Sequence, residues 1–253
     1  MAKEFFIGKT NNTAKKPSNI LVGNSSNIAK EVKSIFVGNS SNQAVKVFPS
    51  FPDIYQKCEY ILNTNGTEYI NTNIKPNSST RFSFKFKITS VNTSQLTNYL
   101  FGCKQNNANN YGRIEHYSGG GINNYFDYYW GQNLTDLKEE ALNKVYTVDV
   151  NKNGDGKTYI NGSQRMSSQS TFSTVQNYYL LFAMMENSSV ILSSGMRYNL
   201  YYFKAWQNKT LIREMYPCYL KSDDIQRGMY DVVEGVFYGN LGSGVFYKGP
   251  DVN

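Results

Sequence analysis

Between Arg81 and Thr89 the chain alternates apolar and polar residues at every step. Phe82, Phe84, Phe86 and Ile88 fall on one side of an extended chain, and Arg81, Ser83, Lys85 and Lys87 on the other. A period of two marks a strand with one buried face. The same pattern recurs along the chain. EYILNTNGTEYINTNIKP (59–76) predicts two strands paired around Asn65-Gly66, a strong hairpin signal. KVYTVDVNKNGDGKTYINGSQ (144–164) predicts strand, glycine-rich turn, strand, and YYLLFAMME (178–186) an inner strand. MRYNLYYFKAWQNKTLIREMYPCYL (196–220) predicts two strands around Gln207, Asn208 and Lys209. Only LTDLKEEALNK (134–144) reads as helical, with a loop as its alternative. Many short strands separated by turn residues predict an all-β, two-sheet sandwich of jelly-roll type.

The first 49 residues carry a different pattern, a fifteen-residue repeat. FFIGKTNNTAKKPSN, ILVGNSSNIAKEVKS and IFVGNSSNQAVKVFP align position by position. Gly8, Gly23 and Gly38 coincide, as do Ala14, Ala29 and Ala44. Each unit is an apolar pair, a glycine, a polar turn and a second short run, which predicts a β-hairpin. Pro49 and Pro52 then interrupt any ladder, so a boundary is expected at PSFPD (49–53). The expected organisation is a repeat module over 1–49 and a sandwich over 50–253. The repeat module is read as serving attachment or oligomerisation. A homotrimer is favoured, because a short β repeat buries its apolar stripe well around a three-fold axis.

Composition sharpens this picture. Twenty-one Tyr and 15 Phe against 18% charged residues favour an ordered, strand-rich chain. The net charge is +7, yet the basic residues are scattered rather than clustered. That is the footprint of a solvated basic surface, so no nucleic-acid partner is expected. Cys58, Cys103 and Cys218 show no metal or disulfide spacing and read as small buried hydrophobes, with one disulfide among them left open. MAKEFFIGK lacks the apolar core of a secretory signal, and no run approaches a membrane span of about 20 residues. Synthesis in a cytoplasm and no membrane insertion are therefore expected.

In this order, EYILNTNGTEYINTNIKP, LFG (100–102), YTVDVNKNGDGKTYING and the C-terminal stretch after Leu200 resemble a recurrent domain. It is the concanavalin A-like (LamG-like) jelly-roll of phage and prophage tail or baseplate proteins. The resemblance covers roughly residues 55 to 252. Pro217-Cys218-Tyr219, Gly228-Met229-Tyr230-Asp231 and Gly249-Pro250 are its most specific part. The VG repeats resemble those that precede such domains. The resemblance implies a virion protein, on an appendage that touches the host surface. Its implied partners are other virion proteins through residues 1–49 and a host cell-surface polysaccharide. Fold alone does not settle function.

Several motifs could carry chemistry. GNSSN lacks the further glycines and the Lys-Ser/Thr of a phosphate loop, so a turn is the better reading. Asp149, Asn151, Asn153 and Gly154 match the first half of a calcium loop, but its twelfth position is Ile160 rather than Glu. A hairpin turn is preferred, and no metal or other cofactor is expected. Glycan hydrolases of this architecture need paired carboxylates flanking the scissile bond. Asp136, Glu139 and Glu140 lie in a polar turn or helix, Asp231 and Glu234 in terminal hairpins, and His116 is the single histidine. An enzyme is not expected.

The aromatic run INNYFDYYWG (122–131) is the candidate ligand surface. On a strand, Phe126, Tyr128 and Trp130 share the side expected to be core, while Asn123, Tyr125, Asp127 and Tyr129 share the other. The second set mixes ring faces with hydrogen-bonding groups, as a sugar surface does, though cross-strand Tyr pairing explains it equally. Arg113, with Glu115 and Tyr117, is placed on a neighbouring strand. The expected function is host-glycan binding by a virion protein. The alternatives are a purely structural virion protein and, more remotely, a glycan hydrolase.

Overall fold

Glycine and alanine meet across both described hairpins of the repeats. The structure, a computed structural model, describes residues 21–23, 29–31, 35–38, 44–48, 51–92, 97–105, 111–117, 125–131, 133–137, 142–152, 154–164, 175–193 and 195–252. For 21–48, 97, 111–117, 125–131 and 133–137 it describes the backbone alone. The chain divides into two compact units, Met1–Asp53 and Ile54–Asn253. In the first, β1 (Leu21–Gly23) pairs antiparallel with β2 (Ala29–Glu31), and β3 (Ile35–Gly38) with β4 (Ala44–Phe48). Gly23 lies opposite Ala29, and Gly38 opposite Ala44. The aligned residues of the repeat are thus the pair that closes each hairpin beside its turn. The first copy lies outside the described residues.

The second unit starts with short strands, β5 (Tyr55–Lys57), β6 (Ile61–Leu62) and β7 (Ile70–Asn71), before the long β8 (Thr80–Ser90). Next come β9 (Thr97–Lys104), β10 (Tyr111–Tyr117), β11 (Tyr125–Gly131) and β12 (Asn133–Leu137). They are followed by β13 (Val145–Val150), β14 (Thr158–Ile160), β15 (Ser163–Gln164), β16 (Leu180–Leu181), β17 (Ala183–Glu186) and β18 (Ser189–Leu192). The chain ends with β19 (Arg197–Gln207), β20 (Thr210–Leu220), β21 (Asp223–Asp231), β22 (Val236–Gly239) and β23 (Tyr247–Lys248). Among the described residues there is no helix. The larger sheet runs β15-β14-β13-β8-β19-β20-β21-β22, with β5, β6 and β23 added beside it. The smaller runs β12-β11-β10-β9-β16-β7, with β17 and β18 attached.

The two sheets make a sandwich over one apolar core, as the alternation predicts. Phe82, Phe84, Phe86 and Ile88 of β8 are fully buried. Phe84 packs on Phe101 of the smaller sheet with ring centroids 4.9 Å apart, and Phe82 on Tyr179 at 4.2 Å. Burying an aromatic side chain of this size stabilises the fold by about 1.5–3 kcal/mol. A polar tie accompanies the rings, since the Tyr198 hydroxyl donates to the Leu100 carbonyl at 2.6 Å. Cys58, Cys103 and Cys218 are buried and form no disulfide.

Three expectations are corrected. Asn65-Gly66 does not close a hairpin. β6 joins β19 and β23 in the larger sheet, while β7 joins β16 in the smaller, so the chain crosses between layers there. Gly66 supplies a left-handed turn (φ 79°), but its neighbours are held by the buried Glu68 carboxylate. That carboxylate accepts from the Thr64 and Thr67 amides at 3.1 and 3.2 Å and from the Thr64 hydroxyl. A side chain replaces the cross-strand ladder. LTDLKEEALNK is not helical over its first turn. Leu134–Leu137 belong to β12, paired with β11, because sheet pairing overrides a weak local helix preference. YYLLFAMME is not one strand. Phe182, at φ 67°, separates β16 from β17 and turns its ring onto Tyr198, 4.4 Å between centroids.

Candidate ligand-binding cleft

The polar half of the β8 alternation forms the outer surface of the larger sheet. Register places Arg81 opposite Trp206, Ser83 opposite Lys204, and Lys85 opposite Tyr202 on β19. On the other flank Asp149 of β13 lies opposite Ser83, and Tyr159 of β14 opposite Asp149. Lys204 in turn lies opposite Glu214 of β20. A bulge between Leu200 and Tyr202 sets two tyrosines against one lysine. The Lys85 ammonium sits 5.2 Å from the Tyr201 ring centre as a result. Cations and rings therefore interleave across this face. Lys204 lies 5.6 Å from the Tyr202 ring and 5.7 Å from that of Tyr216. Burial by itself lowers the proton affinity of Lys204. Its contacts with Glu214 (2.9 Å) and Tyr216 outweigh that and hold the ammonium above the usual lysine value.

At one end of this face three turns enclose a cleft of about 660 Å³. The turn before β8 contributes Ser79 and the start of β8 Arg81, the β13–β14 turn Asn151, Lys152 and Gly154, the end of β19 Trp206, and the β19–β20 turn Asn208 and Lys209. The size is that of a small-ligand site. The Arg81 guanidinium stacks on the Trp206 indole, 4.1 Å from the ring centre. Its other restraint is Asp149 at 3.5 Å, which Lys152 also approaches at 4.0 Å. The Arg81 Nε is buried with no hydrogen-bond partner. The cleft thus offers one indole, the Ser79 hydroxyl, the Asn208 amide and three cations.

Asn151 organises two of the three turns. It is 3% exposed with φ 54°, a conformation that Asn tolerates better than most residues. Its Nδ2 donates to the carbonyls of Ser78 (2.9 Å) and Thr80 (2.8 Å), and its Oδ1 accepts from the Gly156 amide at 2.9 Å. The half-motif of a calcium loop is therefore a hairpin turn here. Its central amide is spent on backbone groups, and the Asp149 carboxylate faces Arg81 and Lys152. Among the described residues no group of three or more metal-ligating side chains converges.

The surface singled out in the sequence lies on the smaller sheet instead. β10 and β11 pair with Arg113 opposite Tyr129, Glu115 opposite Asp127 and Tyr117 opposite Tyr125. These positions share one register set, as directly opposed antiparallel residues do. The described structure of that region is backbone alone, and Asn123 lies outside the described residues. Sequence reasoning missed the Trp206 cleft. Its signal was present in two places. A tryptophan stands just before an Asn-Lys turn, and an arginine opens the most regular strand.

No protein-family model matches the chain, and no curated protein does. Among solved structures it is similar to one described as a "putative carbohydrate binding protein" from Bacteroides ovatus. The TM-score is 0.49 at 15% identity, over 89% of this chain and 68% of that one.

Proposed function

We propose that the protein binds carbohydrate through the Trp206 cleft and does so without cleaving it. The observation that carries this reading is the cleft's composition. An indole held by a stacked guanidinium offers an apolar wall, and Ser79 and Asn208 bring a hydroxyl and an amide to the same cavity. A sugar ring asks for that combination of a flat apolar face and groups that bond its hydroxyls. Glycoside hydrolysis needs two carboxyl groups about the scissile bond. None of the described lining residues is acidic.

In this reading the protein is an adhesion component of a phage or phage-like particle, with residues 1–49 joining it to other virion proteins. The resemblance of residues 55–252 to tail and baseplate domains supports that setting. The β10–β11 surface is a second glycan contact in the same proposal, supported by the register that sets Arg113, Glu115 and Tyr117 against Tyr129, Asp127 and Tyr125.

The test is binding of the full chain to a panel of bacterial envelope polysaccharides, read by calorimetry and by tryptophan fluorescence. Only two tryptophans contribute to that signal. Trp206→Ala should abolish binding, while Tyr125→Ala with Tyr129→Ala should weaken it. Binding unchanged in Trp206→Ala would remove the cleft from the proposal, and an entirely blank panel would remove carbohydrate. New reducing ends after incubation with a bound polysaccharide would make the protein an enzyme.

A further inference from the structure

Lys209 occupies a position where glycine is the natural choice. It is the second residue of the two-residue turn between β19 and β20, with Asn208 at φ 48° and Lys209 at φ 66°. Both central residues of such a turn need positive φ, which is why Asn-Gly dominates there. A lysine in that conformation costs free energy that glycine does not. Strain of this kind persists where the side chain has a use. This side chain lines the cleft, and among the described residues no carboxylate lies within ion-pairing distance of it.

The remaining charges point the same way. Arg81 and Lys152 line the same cavity, and the nearest carboxylate, Asp149, is shared between them. The interleaved face leading away from the cleft adds Lys85, which has a tyrosine beside it and no carboxylate partner among the described residues. Like charges gathered in a concavity raise the local concentration of oppositely charged ligand. Cations beside aromatic rings suit a ligand that carries both a sugar ring and a negative group.

From this juxtaposition we propose that the cleft selects anionic glycan, a polymer bearing carboxylate, phosphate or sulfate groups. Lys209 and Lys152 contact the anionic group at the rim, Arg81 and Trp206 hold the ring, and Lys85 meets a later unit of the chain. This deepens the carbohydrate reading and rests on it.

The experiment titrates the full chain with polygalacturonate, dextran sulfate, neutral dextran and an oligothymidylate over a range of salt concentrations. At least one of the two anionic glycans should bind about tenfold or more tighter than neutral dextran. That affinity should fall as salt rises, because exposed ion pairs are screened. Which of the two binds distinguishes a carboxylate from an ester of sulfate or phosphate type. Lys209→Gly should weaken that binding about tenfold, ~1.4 kcal/mol, while the melting temperature stays unchanged or rises. Lys85→Gln should weaken long chains more than short ones. Equal binding of neutral and charged dextrans, with Lys209→Gly silent, would overturn the anionic class and leave the carbohydrate reading standing. Tighter binding of oligothymidylate than of any glycan would overturn it in favour of nucleic acid. Binding to none of the glycans, together with a blank polysaccharide panel, would overturn both readings.

Discussion

Single side chains hold the loops of this fold where ladders do not. Asn151 satisfies the Ser78 and Thr80 carbonyls, the second of them buried, and one amide at once. A buried group left unpaired costs about 1–3 kcal/mol, so Asn151→Ala should lower stability by roughly 1–3 kcal/mol and disturb the cleft as well. Denaturant titration beside a binding assay measures both. Asp231 is a second such residue. It is fully buried, its Oδ1 accepts from the Glu214 and Val233 amides at 2.9 Å, and its Oδ2 lies 3.6 Å from the Arg213 guanidinium. Burial pushes its pKa above the usual 3.8, and the amides and Arg213 only partly oppose that. The folded state therefore holds the proton more tightly than the unfolded chain. The resulting stabilisation is full below 3.8 and is lost as pH rises through the raised value. Unfolding free energies of the native protein and of Asp231→Asn, compared between about pH 4 and pH 7, should show the native protein losing relative stability as pH rises. A pH-independent difference would mean that Asp231 does not titrate with folding.

At the level of elements, strands and two of their hairpins, β13–β14 and β19–β20, were legible, and the assignment of strands to sheets was not. Phe82 to Ile88 reads as a strand because its period is two, and all four apolar residues are buried as that period requires. Nothing local says which sheet a strand joins. Asn65-Gly66 carries the signature of a hairpin, yet the strands on either side enter different layers, because Glu68 ties the turn internally. The cleft was hidden for a similar reason. Its residues come from three turns and the adjoining strand ends between 79 and 209, and only the pairing of β13, β8 and β19 brings them together. The β16–β17 break was missed because an aromatic at positive φ has no sequence signal. Phe182 remains there because its ring packs on Tyr198 and Phe246, at 4.4 and 4.8 Å. Phe182→Ala should cost about 3–5 kcal/mol and lower the melting temperature by roughly 10 °C. A much smaller loss would mean that relief of the backbone offsets the missing ring. Gly242 is the complementary case. A Cβ there would run into the Thr67 carbonyl beside the crossing loop, so Gly242→Ala should destabilise although the residue has no side chain to lose.

For the whole molecule, the proposed binding would gain affinity from the number of clefts acting together. A shallow site that holds a ring and a charge binds weakly alone, and joining several on one particle raises the effective concentration of the second and third contacts. In this proposal the fifteen-residue repeats take that task. Gly23 and Gly38 close their hairpins against Ala29 and Ala44, and the apolar positions Val22 and Val37 recur at the same place in each. In the trimer proposed for the repeats, those positions would face the axis. Val22→Asp with Val37→Asp should then convert a trimer into a monomer by sedimentation or light scattering. It should leave the affinity for a short soluble glycan unchanged, and it should cost about 10²- to 10⁴-fold on a polysaccharide-coated surface. A native protein that is already monomeric at micromolar concentration would rule out the trimer. An equal loss for soluble and surface-bound glycan would show instead that the repeats shape the binding unit itself, and avidity would not be their role.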